Sequence, residues 1–102
     1  MIGPALQAMA EPRRREILLL VRDRAHTVGE IAARFDISRP AISQHLAVLN
    51  EAGLVTVTAE GTRRFYRARP EGMAEIQEYI ESFWTRHLAE LKDVAERDED
   101  HD

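Results

Sequence analysis

Residues 38–53 read Ser38-Arg39-Pro40-Ala41-Ile42-Ser43-Gln44-His45-Leu46-Ala47-Val48-Leu49-Asn50-Glu51-Ala52-Gly53, and their pattern decides the fold. Ser38 is placed to cap a helix, its hydroxyl accepting from a first-turn N–H. Ile42, Leu46 and Leu49 recur at i, i+4 and i+7, one apolar stripe of a helix, and Gly53 ends that helix as a left-handed cap. With the stripe turned inward, Arg39, Pro40, Ser43, Gln44 and then Ala47 face solvent. Upstream, Thr27-Val28-Gly29-Glu30 has the form of a capping box, in which the Thr27 hydroxyl and the Glu30 carboxylate each satisfy the other's backbone N–H. The helix it starts puts Val28, Ile31, Ala32 and Phe35 on one face, and Asp36-Ile37 is a tight connection. Two helices joined so closely match the helix-turn-helix unit.

Outward from this pair the chain reads in both directions. Leu54-Val55-Thr56-Val57-Thr58 is a strand by its β-branched content, Glu60-Gly61-Thr62 a turn, and Arg63-Arg64-Phe65-Tyr66-Arg67-Ala68 a returning strand. Two strands alone are marginal, so the hairpin is expected to pack on the helices. On the N-terminal side, Ala5–Ala10 reads as a turn or two of helix. Glu11-Pro12 starts a second helix running through Ile17, Leu18, Leu20 and Val21, apolar nearly all round and so expected to be buried. Arg22-Asp23-Arg24-Ala25-His26 is the break after it. Pro70-Glu71 begins a last helix, where Met73, Ile76, Ile80, Phe83, Trp84, Leu88, Leu91 and Ala95 follow 3–4 spacing over ~26 residues, about 39 Å. The expected organisation is one domain over residues 1–96, its dimerisation helix at about 70–96, with 97–102 an acidic, disordered tail.

Length and composition bound the function. At 102 residues the chain holds one small core. A domain of this size leaves much of its surface open, which favours self-association. Apolar residues at 44% and charged residues at 31% are a globular balance. The longest apolar run, Ile17 to Val21, is far below the ~20 residues of a membrane span, and Met1 to Ala10 lacks the charge of a secretory leader. The absence of cysteine removes disulfides, thiolate metal sites and cysteine nucleophiles, and fits a reducing cytoplasm. The net charge of −4 conceals a division: residues 1–69 carry 11 Arg against 7 acidic groups, residues 70–102 carry 3 basic against 11 acidic groups. A basic part and an acidic part imply two different working surfaces.

The helix face bearing Arg39, Ser43 and Gln44 suits a helix N-terminus entering a DNA major groove. Arg donates twice to guanine, Gln pairs with adenine, and Ser reaches phosphate or base. The alternative is an ordinary solvated face, and the hairpin tips the balance between them. Arg63, Arg64, Arg67 and Arg69 fall within seven residues, with no acidic residue between Gly61 and Pro70. An arginine-rich tip beside a helix-turn-helix is the geometry of a winged helix. Against this stands the reading of edge arginines that merely keep a strand soluble. Phe65 and Tyr66 are expected to pack rather than to stack on bases.

The run Ser38–Leu49, then Ala52-Gly53-Leu54-Val55, then Glu60–Tyr66, together with Met9–Leu18, resembles the ArsR-type family of bacterial winged helix-turn-helix repressors over about residues 5–69. The resemblance implies a mainly α fold with a small β-hairpin (α+β), in which the first and last helices form a dimer interface. It implies a homodimeric, sequence-specific DNA-binding regulator on an inverted-repeat operator. Ser38, Arg39, Pro40, Ser43, Gln44 and His45 would lie at the DNA, and Thr62, Arg63 and Arg64 would form the wing. Leu6, Met9, Ile76, Ile80, Phe83, Trp84, His87, Leu88 and Leu91 would form the dimer interface. The metal-sensing members carry ligand sets that this chain lacks: there is no cysteine pair, and opposite His87-x-x-Glu90 stand Ala74 and Ile76, which cannot ligate. No metal, no cofactor and no membrane are therefore expected, His87 reads as an interface histidine, and His26 and His101 are isolated. An unknown small-molecule effector is compatible with this reading. An enzyme is not, because the five glycines form no phosphate loop and Ser38, Ser43 and His45 have no third catalytic partner. The alternative from another class is a winged-helix interaction module that binds a protein partner through its acidic last helix.

Overall fold

A computed structural model describes residues 2–99, with side chains through 97. Helices α1 (Ile2–Met9) and α2 (Pro12–Leu20) are followed by β1 (His26–Thr27), α3 (Val28–Ala32) and α4 (Arg39–Glu51). The wing strands β2 (Val55–Glu60) and β3 (Arg63–Ala68) lead into a 30-residue α5 (Pro70–Glu99).

Local chemistry sets most of these boundaries. The Thr27 hydroxyl accepts from the Glu30 N–H at 3.2 Å, and Glu30 Oε1 accepts from the Thr27 N–H at 2.9 Å, completing the capping box. Ser38 Oγ accepts from the Ala41 N–H at 3.2 Å at the start of α4. The far end of α4 closes as a Schellman motif: Leu54 N donates to Leu49 O at 2.9 Å, Gly53 N donates to Asn50 O at 3.1 Å, and Gly53 takes φ +74°. Glu60 pairs with Arg63 across the loop Gly61-Thr62, where Gly61 supplies the positive φ of +63° that such a two-residue loop requires at its first position.

The core gathers Ala5 and Ala8, Ile17, Leu18 and Val21, Ile31, then Ile42, Leu46 and Leu49, with Leu54, Val55 and Ile76. Helix α4 thus contributes the face its periodicity predicted. Four features differ from the expectations. The sheet has three strands in the order β1-β3-β2, because His26 and Thr27 pair antiparallel with Tyr66 and Phe65. His26, read as an isolated loop histidine, is buried: its Nδ1 faces the Arg24 carbonyl at 2.7 Å and its Nε2 faces Arg24 Nη2 at 3.1 Å. A carbonyl only accepts and a guanidinium only donates, so the ring donates from Nδ1 and accepts at Nε2. Helix α2 is not covered all round, since Leu19 is 63% exposed. The last helix passes the expected boundary at 96 and continues to Glu99; His101 and residues 100–102 lie outside the described residues.

Beyond Ile76, every described side chain of α5 from Gln77 to Arg97 is exposed, and the protomer measures 71 × 25 × 22 Å. At 1.5 Å per residue the helix is about 45 Å long, so its outer part projects from the body. Among the described residues no helix is long and apolar enough to cross a membrane.

The Glu30 carboxyl is held below the ordinary carboxylate value, first by the Thr27 N–H and then by the Thr27 side chain, with Arg24 and His26 adding to the effect and desolvation opposing it. A depressed pKa contributes stability above the ordinary value that is lost as pH falls through the folded one. The stability gap between the native protein and Glu30→Gln is therefore expected to be full near neutrality and to close below about pH 5. Melting temperatures taken from pH 7 to pH 3 check this, and a gap that widens towards low pH contradicts it. Thr27→Ala, which removes the cap itself, is expected to cost about 1 kcal/mol.

Candidate nucleic-acid interface

The start of α4 and the tip of the β2–β3 hairpin meet at one edge of the molecule. An open groove of about 690 Å³ is lined by Thr27 to Glu30 and Ala33 on one side, by Arg39, and by Thr62, Arg63 and Arg64 on the other. The Arg39 guanidinium lies beside Gly29, its Nη2 3.7 Å from where a Cβ there would stand, an ordinary van der Waals distance. Arg63 places its guanidinium over the Phe65 ring, 5.2 Å from its centre, a cation–π contact that helps hold the side chain at the wing.

Charge is available at this edge because little neutralises it. Arg13, Arg22, Arg24 and Arg69 are paired with carboxylates, whereas none of Arg39, Arg63 and Arg64 forms an ion pair among the described residues. Arg63 stands opposite Glu60 in register and still makes no ion pair with it. The one carboxylate lining the groove, Glu30, is committed to the Thr27 N–H and lies 3.8 Å from Arg24.

Of the residues expected at the DNA, Ser38, Arg39, Pro40, Ser43, Gln44, Thr62, Arg63 and Arg64 are all exposed. Their solvent-facing side follows from the burial of Ile42, Leu46 and Leu49 on the opposite side of α4. His45 is placed apart from them. Its side chain is 20% exposed and turns towards α2, with Nδ1 3.4 Å from Arg14 Nη1 and 3.8 Å from Glu11 Oε2. Arg69, counted among the wing arginines, turns back to the body and donates from Nη1 to Gly53 O at 3.3 Å. Phe65 and Tyr66 are half-buried, Tyr66 against the core, as their packing roles require.

The residues expected at a dimer interface separate into two groups. Leu6 and Met9 are partly buried on the protomer core, and Ile76, 6% exposed, belongs to that core outright. Ile80, Phe83, Trp84, Leu88 and Leu91 are exposed, Phe83 by 61% and Trp84 by 59%. Val94, at 53%, extends the same stripe and was missed by the sequence reading, although its spacing from Leu91 carries the signal. The His87 ring stands edge-on to Trp84 at 6.3 Å. Among the described residues no three His, Asp or Glu side chains gather to hold a metal ion. A second groove, about 550 Å³ and apolar, lies at the base of α5 between Met9, Leu18, Leu19 and Met73.

A helix pair joined by a short turn, followed by a two-stranded hairpin packed beside it, defines a winged helix-turn-helix protein. The sequence pattern of the arsR family of bacterial regulatory proteins matches residues 11–57. The chain is 44% identical over 84 residues to the HTH-type transcriptional regulator Rv2034 of Mycobacterium tuberculosis (strain ATCC 25618 / H37Rv), an alignment covering 82% of this chain and 78% of that relative. A crystal structure described as a "Possible transcriptional regulator for arsenical resistance" superposes with a TM-score of 0.73 at 44% identity, covering 84% of this chain and 94% of the other. The homodimeric winged helix-turn-helix DNA-binding domain of Mb0332 from Mycobacterium bovis superposes with a TM-score of 0.68 at 30% identity, covering 85% and 81%. The chain belongs to the arsR family of bacterial regulatory proteins, and is a transcriptional regulator of winged helix-turn-helix fold.

Proposed function

We propose that two copies of this chain bind an inverted-repeat operator and repress transcription by occupying it. Arg39, Ser43 and Gln44 enter the major groove and choose the sequence, with Ser38 and Pro40 at the helix start beside the backbone. Thr62, Arg63 and Arg64 clamp phosphate from the wing. The observation that carries this reading is the shared groove: Arg39 from the helix and Thr62, Arg63 and Arg64 from the wing line one surface, and among the described residues all three guanidiniums are without a carboxylate partner. Such a surface is complementary to a phosphate backbone followed by base edges. The exposed stripe of α5, with Leu6 and Met9 of α1 beside its base, joins the two copies. That arrangement sets two recognition helices about 34 Å apart, one turn of DNA. It also carries the acidic residues of α5 away from the duplex.

Selection of bound sequences from a random duplex pool tests the reading and supplies the operator. On that operator Arg39→Ala and Gln44→Ala are expected to lower discrimination against random DNA by about 1–3 kcal/mol each. Arg63→Ala and Arg64→Ala are expected to weaken binding to every duplex and to reduce the salt slope by about one unit per lost phosphate contact. Equal losses on operator and random DNA for the helix variants, or an unchanged salt slope for both wing variants, contradict the assignment.

A further inference from the structure

We propose that His45 is a positioning residue that touches no DNA, and that with Arg14 it ties the recognition helix to the end of α1. The proposal rests on the DNA-binding reading above and adds to it a coupling between the DNA face and the dimer face.

The Arg14 guanidinium spans three elements. Its Nε donates to Ala8 O at 2.7 Å and its Nη2 to Gln7 O at 3.3 Å, both carbonyls of the last turn of α1. The last carbonyls of a helix have no partner within it; Gln7 O already accepts from the Ala10 N–H at 3.2 Å, so Arg14 adds a second donor there. The third nitrogen, Nη1, reaches His45 Nδ1 at 3.4 Å. Because a guanidinium donates only, Nδ1 accepts and the ring carries its proton on Nε2. Glu11 completes the cluster: its Oε2 accepts from the Arg14 N–H at 3.2 Å, capping α2, and lies 3.8 Å from the same Nδ1. Among the described residues Arg14 makes no ion pair within 4.0 Å, and its guanidinium is held by these carbonyls and the imidazole.

In α4, His45 sits between exposed Gln44 and fully buried Leu46. Apolar packing on one face leaves a helix free to rock about its own axis, and a directional bond on a second face removes that freedom. His45 supplies that bond one residue from Gln44, the expected adenine contact. At its other end the bond reaches α1 between Leu6 and Met9, the residues of that helix assigned to the dimer. The seating of the recognition helix is thereby linked to the position of α1, and so to the partner copy.

The test compares His45→Leu, His45→Asn and Arg14→Lys with the native protein on the selected operator and on random duplex, across a salt series. His45→Leu removes the acceptor, Arg14→Lys removes the three-way donor, and Asn at 45 offers a carbonyl oxygen near the position of Nδ1. Loss of a hydrogen bond to a charged group predicts about a tenfold or greater loss of operator affinity in His45→Leu and Arg14→Lys. Random-duplex affinity and salt slope are expected to stay native, and His45→Asn to recover most of the operator affinity. The double variant is expected to be no weaker than the weaker single, since both remove one interaction. A salt slope reduced by about one unit in His45→Leu would mean a phosphate contact and overturns the proposal. A loss confined to one operator base pair would mean a base contact and overturns it equally, as does native affinity in both variants. If His45→Leu does not fold, native operator affinity in Arg14→Lys alone overturns it. A native protein that selects no sequence from the pool overturns the DNA-binding reading and this proposal with it.

Discussion

Trp84→Ala is expected to turn a dimer at micromolar concentration into monomers while leaving the protomer folded. The indole is 59% exposed on a helix that has already left the body, so within one protomer the substitution removes almost no packing. In the proposed dimer the same ring is the largest apolar group of the stripe formed by Ile80, Phe83, Leu88 and Leu91. Truncating a large aromatic at the centre of an interface costs about 2 kcal/mol or more. In a twofold dimer every residue occurs on both sides, so the loss is felt twice, about 4 kcal/mol, or a thousandfold in the dimer dissociation constant. Operator binding should fall with it, because one recognition helix reads only half a site. Sedimentation at several concentrations decides: an unchanged dimer in the variant, or a monomeric native protein at micromolar concentration, removes the interface assignment. An unchanged thermal transition extrapolated to low concentration confirms that the effect lies between protomers.

Gly72→Ala is expected to destabilise the fold itself, by about 3 kcal/mol or more. Gly72 is buried in the first turn of α5, where it crosses Gly53 at the end of α4. A Cβ built on it would stand 2.1 Å from the Gly53 carbonyl oxygen and 3.4 Å from Leu54 Cα. Neither neighbour is the end of a flexible side chain. Relief requires the helix to back away from the Schellman turn, breaking the bond from Arg69 N to Leu54 O at 2.8 Å and the one from Arg69 Nη1 to Gly53 O. Denaturation in urea and heat measures the cost, a fall in melting temperature of about 12–24 °C for a domain of this size. Gly3→Ala is the control: nothing lies within 4 Å of its missing Cβ, and it sits in a helix, so no loss is expected. Equal stability of the two variants would show that α5 joins α4 differently.

The elements legible in the sequence are those governed by interactions spanning a few residues. Thr27 and Glu30 are three apart, Ser38 and Ala41 three apart, and Gly53 needs only the preceding turn of α4; each forms the contact its residue types predict. The 3.6-residue period likewise assigned Ile42, Leu46 and Leu49 to the core, and with them the outward face of Arg39, Ser43 and Gln44. The two-residue strand β1 has no period to read, and it exists because His26 and Thr27 find Tyr66 and Phe65 some 40 residues away. The same holds for Ile76 and Phe83, one helix and one spacing rule, yet the first is buried and the second open. Periodicity selects a face of a helix but is silent on where along it the neighbouring elements stop. His45 shows the difference most plainly: the family resemblance sets it with the DNA residues, whereas in the fold its Nδ1 lies 3.4 Å from Nη1 of Arg14, brought from α2. Short-range hydrogen bonding and helical period were enough for the helix-turn-helix and for the exposed face of α4, because both act within one element; the wing was legible from its β-branched strand and its turn residues. Which arginines stay free of partners, which histidine turns inward and where α5 leaves the core depend on pairs distant along the chain, and those pairs meet only once the elements have packed.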